Sequence, residues 1–107
     1  MEPFVQLEHR WAEFNGACPD HMVACSSGTA ALHLALESLS SSAFGSRLPQ
    51  GSEVIVPDYT MIACPRAVTL AGHEPVFVGC GEDLLMDLDA LDNALSDYAS
   101  HVIMVVH

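Results

Sequence analysis

Ser26-Ser27-Gly28-Thr29 stands between a short apolar run, Met22-Val23-Ala24-Cys25, and the stretch Ala30-Ala31-Leu32-His33-Leu34-Ala35-Leu36. A phosphate needs several N–H donors that converge with no side chain in the way. A strand, a small-residue turn and a helix start in that order supply them. Gly28 lets an anion approach the backbone, Thr29 adds a hydroxyl, and the first amides of a helix have no intrahelical acceptor. The plain alternative is a helix cap, which is what serine and threonine at helix starts usually provide.

Other residue groupings point nowhere sharper. Six histidines and four cysteines invite a metal reading, yet His21 and His33, each near Cys25, lack the paired spacing of zinc ligands. No metal site is expected. Serine, histidine and aspartate are all present, but no G-x-S-x-G turn organises them into a hydrolytic triad. Glu82, Asp83, Asp87, Asp89 and Asp92 read as a solvated face with Asp87 capping a helix.

The elements that would position the Ser/Gly/Thr turn follow from periodicity. Phe4, Leu7, Trp11 and Phe14 recur at steps of three and four, which predicts an amphipathic helix over 4–14, begun after Pro3 and ended by Asn15-Gly16. A short buried strand is predicted at 22–25 and a deeply buried helix at 29–39, apolar on nearly every face. Residues 40–52, rich in Ser, Gly and Pro, read as a connector. Strands are predicted at 53–57, 75–78 and 101–106. Helices are predicted at 60–71, with Pro65 in its first turns and Gly72 as its stop, and after Asp87, carrying Leu88, Leu91 and Leu95. Strands that are continuous apolar runs, alternating with helices, indicate an α/β fold with a mainly parallel sheet covered on both faces.

Composition sets the outer limits. The chain has 107 residues, half of them hydrophobic and 16% charged, so it is one globular domain or part of one. Arg10, Arg47 and Arg66 are its only cations against fourteen acids, a formal charge of −11, and there is no lysine. Nucleic acid and anionic membrane surfaces are excluded as partners on that balance. A small phosphate is not, because a helix terminus binds it through local amides and the dipole. No secretory pattern follows Met1-Glu2-Pro3, no apolar run is long enough to span a bilayer, and Cys18, Cys25, Cys64 and Cys80 show no C-x-x-C spacing. A cytoplasmic protein with reduced thiols is expected.

The wider pattern is more specific. Ser26–Leu36 is followed by Gly51-Ser-Glu-Val-Ile-Val-Pro-Asp-Tyr-Thr60, then by Ala71-Gly-His-Glu-Pro-Val-Phe-Val78, Met86-Asp87 and Val105-Val106-His107. In order and spacing these blocks resemble the DegT/DnrJ/StrS family of pyridoxal-phosphate-dependent sugar aminotransferases, over about residues 8–107. The resemblance implies the N-terminal part of a fold-type-I aminotransferase-like large domain, residues 1–107, truncated, with its C-terminal part and small domain absent. It implies pyridoxal phosphate as cofactor, with Ser27, Gly28 and Thr29 at its phosphate. Met61 stands where the family usually presents an aromatic ring to the pyridine. A thioether can lie against a π-face, or Met61 is simply a core residue. Gly79 replaces an acid usual in the family, the 40–52 connector is longer than typical, and Arg66 stands where a small or amide residue is common. Arg66 could meet an anionic substrate group or be an exposed helix arginine.

The family's substrates would be a nucleotide-linked keto-sugar and an amino donor, commonly glutamate. Its pyridine-pairing aspartate and cofactor-bearing lysine come later in sequence, so no catalytic residue is assigned here and covalent attachment through lysine is impossible in this chain. The expected function is therefore that of an aminotransferase fragment, inactive alone. The alternative is a non-catalytic remnant or subunit that binds phosphate or the cofactor weakly, or pairs with a separately encoded C-terminal half. The chain stops at Val105-Val106-His107, directly after an apolar strand, which reads as an interrupted sheet, with a small complete four-strand domain as the other reading. A sheet with poorly covered faces predicts self-association or a homo-oligomer.

Overall fold

A computed structural model describes residues 2–41, 48–97 and 102–106. Helix α1 spans Pro3–Asn15, with Pro3 in its first turn and Gly16 closing it at φ 66°. Proline costs nothing where the amide would be orphaned anyway, and glycine takes the left-handed turn without a Cβ clash. A 3-10 turn at Pro19–His21 leads to α2, Gly28–Ser40. Strand β1 (Glu53–Pro57), α3 (Ala63–Leu70), β2 (Glu74–Val78), α4 (Leu88–Asp97) and β3 (Val102–Ile103) complete the order.

The three strands form one parallel sheet, β2-β1-β3. β1 pairs with β2 from Glu53 opposite Glu74 to Pro57 opposite Val78, and with β3 at Val54–Val102 and Ile55–Ile103. Alternation along β1 divides the core in two. Val54 and Val56 pack with Leu36 of α2, Val68 and Ala71 of the α3 end, Leu48 and Met104. Ile55 faces the opposite way, against Val78, Ala94 of α4 and the half-buried Val76, Met86, Ala90 and Leu91. The result is a helix–sheet–helix α/β arrangement with a mainly parallel sheet, as the periodicity predicts.

Several local expectations are corrected. Residues 22–25 form no strand: Val23, Ala24 and Cys25 are exposed, and the Ala24 amide donates to Glu8 Oε1 at 2.8 Å. An apolar run becomes a strand only beside another strand, and none of the described strands lies next to it. Helix α2 is not buried all round. It buries Leu36 with Leu32 and Leu39 packed on the core, while Leu34 stays exposed. The predicted 60–71 helix begins later, at Ala63, so that Pro65 falls in the first turn, where its missing amide is harmless. The last strand pairs only at Val102–Ile103, although the Met104 amide still donates to the Ile55 carbonyl at 2.8 Å. Part of the 40–52 connector, residues 42–47, and His101 of that strand lie outside the described residues.

A polar pair ties α2 to the turn before β2. His73 is buried, and its Nε2 lies 2.7 Å from Ser40 Oγ. The Ser40 hydroxyl donates to the Leu36 carbonyl at 3.1 Å, so the hydrogen between the two side chains sits on His73 Nε2. Among the described residues Nδ1 has no partner. Replacing Ser40 with alanine strands a buried N–H, at a cost of about 1–3 kcal/mol. Ser38, which makes the same back-bond to Leu34 from an exposed position, is the control. Denaturant midpoints are expected to fall clearly for Ser40→Ala and barely for Ser38→Ala; equal midpoints would remove the His73–Ser40 pair as a structural tie.

Candidate functional site

The C-terminal ends of the strands and the start of α2 open on the same rim, the position where open parallel sheets place their ligands. Ser27 precedes α2 with extended backbone, φ −160° and ψ 165°. Its Oγ accepts the Ala30 amide at 3.1 Å and its carbonyl accepts the Ala31 amide at 3.1 Å. Ser27 is thus the helix cap of the plain reading, and its hydroxyl hydrogen remains available to a ligand. The amides of Gly28 and Thr29 come next. No described residue accepts from either of them, as expected for the first two positions of a helix. A Cβ built on Gly28 would meet nothing within 4 Å, so the space before this backbone is open to an incoming group.

That space is a cavity of about 490 Å³ lined by Gly28, Thr29, Leu32, Met61, Ala63 and Cys64. Two of the four residues singled out from sequence, Gly28 and Thr29, form one wall, and Met61 stands on another. Ser27 caps the helix behind them. Met61 is 75% exposed and belongs to neither core cluster of the described residues. It also borders a second cavity of about 540 Å³, lined with Tyr59, Thr60, Asp83, Leu84, Leu85 and Val106. Met61 therefore separates two openings on one rim. Arg66 lies on the exposed face of α3 beside Thr69 and Leu70, and does not line the Gly28 cavity.

Local hydrogen bonds hold the rim in place. The Asp58 amide donates to the Val78 carbonyl at 2.9 Å, and Asp58 Oδ1 accepts the Cys80 amide at 3.1 Å. These bonds continue the β1–β2 register past Pro57 and fix where Tyr59, Thr60 and Met61 leave the sheet. A Cβ at Gly79 would lie 4.0 Å from Asp58 Oδ2, so an acid there would bring a second carboxylate beside the first. Beyond it, Cys80 bridges Met86 in antiparallel fashion, and Asp87 Oδ1 caps α4 by accepting the Asp89 amide at 3.0 Å. Between these points Leu84 adopts φ 65°, rare for a bulky side chain.

Sequence reasoning missed Cys64. It lines the cavity, and its sulfur accepts the Thr60 hydroxyl at 3.2 Å. The signal was the four-residue spacing of Thr60 and Cys64, hidden by starting the helix three residues early. Among the described residues, no cluster of three or more His, Cys, Asp or Glu side chains could hold a metal. His33 instead pairs with Glu37 at 3.1 Å one helical turn away. No described helix is long and apolar enough to cross a membrane.

The donor set suits a phosphate. Two unpartnered amides, the hydroxyl-bearing Thr29 and the positive end of a 13-residue helix border an open space free of acidic lining. It does not supply an amine to hold an aldehyde, since the sequence has no lysine.

Comparison with known proteins identifies the family. The chain is 38% identical over 104 residues to GDP-perosamine synthase of Caulobacter vibrioides, covering 96% of this chain and 25% of that protein. It is 35% identical over 102 residues to UDP-4-amino-4-deoxy-L-arabinose–oxoglutarate aminotransferase of Shewanella sediminis, covering 95% of this chain and 24% of the relative. Among solved structures, an aromatic aminotransferase from Pyrococcus horikoshii superposes with a TM-score of 0.69 at 25% identity, over 88% of this chain and 25% of that one. The chain thus spans about a quarter of the length of the relatives it matches. Residues 2–107 match the model of the DegT/DnrJ/EryC1/StrS aminotransferase family, and the chain belongs to that family.

Proposed function

We propose that residues 1–107 are the N-terminal portion of the large domain of a pyridoxal-phosphate-dependent aminotransferase, and that they hold the phosphate of the cofactor. The whole enzyme would transfer an amino group, with glutamate as donor, to a nucleotide-linked keto-sugar in the cytoplasm. The names of the relatives, one a GDP-sugar synthase and one pairing a UDP-sugar with oxoglutarate, support that substrate class.

The observation that carries this reading is the pair of unpartnered amides at Gly28 and Thr29, facing a cavity whose other wall is Met61. When bound, the cofactor supplies an electron sink for the negative charge that develops on the substrate carbon. The residues of this chain supply position. Gly28 and Thr29 donate to the phosphate, and the Thr29 hydroxyl adds a third donor. Ser27 keeps the helix start in register by taking the Ala30 amide. Met61 offers a polarizable flat contact for the ring. No residue of this chain is assigned the proton transfer. The second proposal is a subunit that binds the cofactor and pairs with a separately encoded C-terminal half.

Binding of pyridoxal phosphate, measured by calorimetric titration, is expected to weaken about tenfold or more in Thr29→Ala, because a hydrogen bond to a charged group contributes roughly 1.5–3 kcal/mol. Pyridoxal without its phosphate is expected to bind at least as poorly as that. Equal affinity of the native chain and Thr29→Ala would end the phosphate assignment.

Met61→Phe restores a ring at the family's position. It is expected to tighten cofactor binding several-fold, since an offset aromatic pair adds about 0.5–1.5 kcal/mol. Unchanged or weaker binding would place the pyridine elsewhere. The isolated chain is expected to transfer no amino group to a GDP- or UDP-linked keto-sugar, whereas co-expression with a complementary C-terminal half would restore transfer on the subunit reading. Turnover by the 107-residue chain alone would overturn both readings.

A further inference from the structure

Residues 22–27 carry the chain from the 3-10 turn to the Ser27 cap, and they have little structure of their own. The backbone is extended at both ends, with Met22 at φ −114° and ψ 132° and Ser27 at φ −160° and ψ 165°. Residues 23–27 are exposed. The hydrogen bonds at the two ends are local. The Met22 amide donates to the Pro19 carbonyl at 3.1 Å, and Ser27 accepts the amides of Ala30 and Ala31. Midway, the Ala24 amide reaches a different element: it donates to Glu8 Oε1 of α1 at 2.8 Å. Glu8 is half-buried, beside the apolar recess that Leu7, Trp11, Met22 and Val23 line with it.

We infer that Glu8 is a positioning residue for the phosphate cradle, anchoring the approach to α2 so that Gly28 and Thr29 present their amides already ordered. The inference rests on the phosphate reading above. Ser27 stands three residues beyond Ala24, a reach of at most about 10 Å of extended chain. Fixing the Ala24 amide therefore limits where Ser27 can stand. Ser27 in turn must keep its extended backbone for Oγ to meet the Ala30 amide. A carboxylate is a strong acceptor for a backbone N–H, and the short distance fits a charge-assisted bond.

The two ends of α2 are held separately. Leu36 in the core and Ser40 on His73 secure the far end. Loosening the approach would thus fray the first turn and leave the rest of the helix in place. The ligand would then have to order that turn as it binds. Fixing the backbone of a single residue costs roughly tenfold in affinity.

Charge and position predict opposite signs. Glu8 is one of fourteen acids in a chain of net charge −11, so by Coulomb attraction alone its removal would help an anion bind. Positioning requires its removal to weaken binding.

Calorimetric titration of inorganic phosphate and of pyridoxal phosphate tests the inference. Glu8→Ala is expected to weaken both about tenfold, the cost of re-ordering one residue. Glu8→Gln keeps the acceptor oxygen and should recover most of the loss. Glu13→Ala removes an exposed acid from the same helix and should bind as tightly as the native chain or slightly more so. Ser40→Ala separates position from stability: it should lower the denaturant midpoint and leave the affinity alone, and Glu8→Ala should do the reverse. Amide hydrogen exchange should quicken at Ala24 and Ala30 in Glu8→Ala and stay unchanged at Val56. Native or tighter binding by Glu8→Ala would overturn the inference, as would an equal loss in Glu8→Gln. Collapse of the far-ultraviolet circular dichroism in Glu8→Ala would make Glu8 a folding residue and overturn it too. Weakening in Thr29→Ala beside unchanged binding in Glu8→Ala would sink the role of Glu8 alone. Indifference of Thr29→Ala would take the phosphate reading down with it.

Discussion

Burial of β1 on both faces is the constraint on which the rest of the chain depends. Val54, Ile55 and Val56 are fully buried, and their alternation sends the outer pair into the α2–α3 layer and the middle one towards α4. Full burial of an aliphatic side chain is worth roughly 1.5–3 kcal/mol, so three consecutive ones outweigh any single polar tie in the molecule. The same strand fixes the rim. Pro57 ends it without an amide to continue the ladder on its own side, and the Asp58 bonds to Val78 and Cys80 then hand the chain over to the segment that carries Met61. On the far side of that core α2 is held by Leu36, which sets where its free N-terminal amides point.

Whether an acidic chain can grip an anion is a question of range. A net charge of −11 acts through solvent, where screening reduces interactions beyond about 8–10 Å. The amides of Gly28 and Thr29 act at hydrogen-bond distance, and no acidic side chain lines their cavity. Asp83 borders the neighbouring opening and spends Oδ1 on the Leu85 amide. On the phosphate reading local donors would prevail, and the overall charge would influence only the rate of capture.

Much of this was legible from the residues. The strand spans Glu53–Pro57, as read from sequence, because Val54-Ile55-Val56 is short, β-branched and framed by Ser52 and Pro57. α1 and its glycine stop, and Asp87 before α4, were legible for similar reasons: each carries its own local signal. The errors occur where the answer lies in a distant partner. Residues 22–25 look like a strand but have no neighbour to pair with, and α2 looks buried all round but is covered on one face only. In the candidate site, Gly28 and Thr29 could be marked by type and order, and their meeting with Met61 required the turn after β1 to be placed. Cys64 depended on where α3 starts. Exposure of Met61 could not be read from hydrophobicity at all.

On the cofactor reading, residues 1–107 would hold the phosphate through local donors alone, since they include no lysine. Three donors at about 1.5–3 kcal/mol each give a gross attraction of roughly 5–9 kcal/mol, against an association cost of at least about 4 kcal/mol. The surplus corresponds to weak, reversible binding. A covalent tether would make retention of the cofactor nearly independent of that surplus. For residues 1–107 by themselves, every donor on the α2 terminus would be felt directly in the affinity, and a residue as modest as Thr29 would become decisive. With a tether supplied from outside these residues, the same threonine would mainly set orientation. The residues of the cradle are the same in the two cases; its energetic role is set by whether an amine stands opposite.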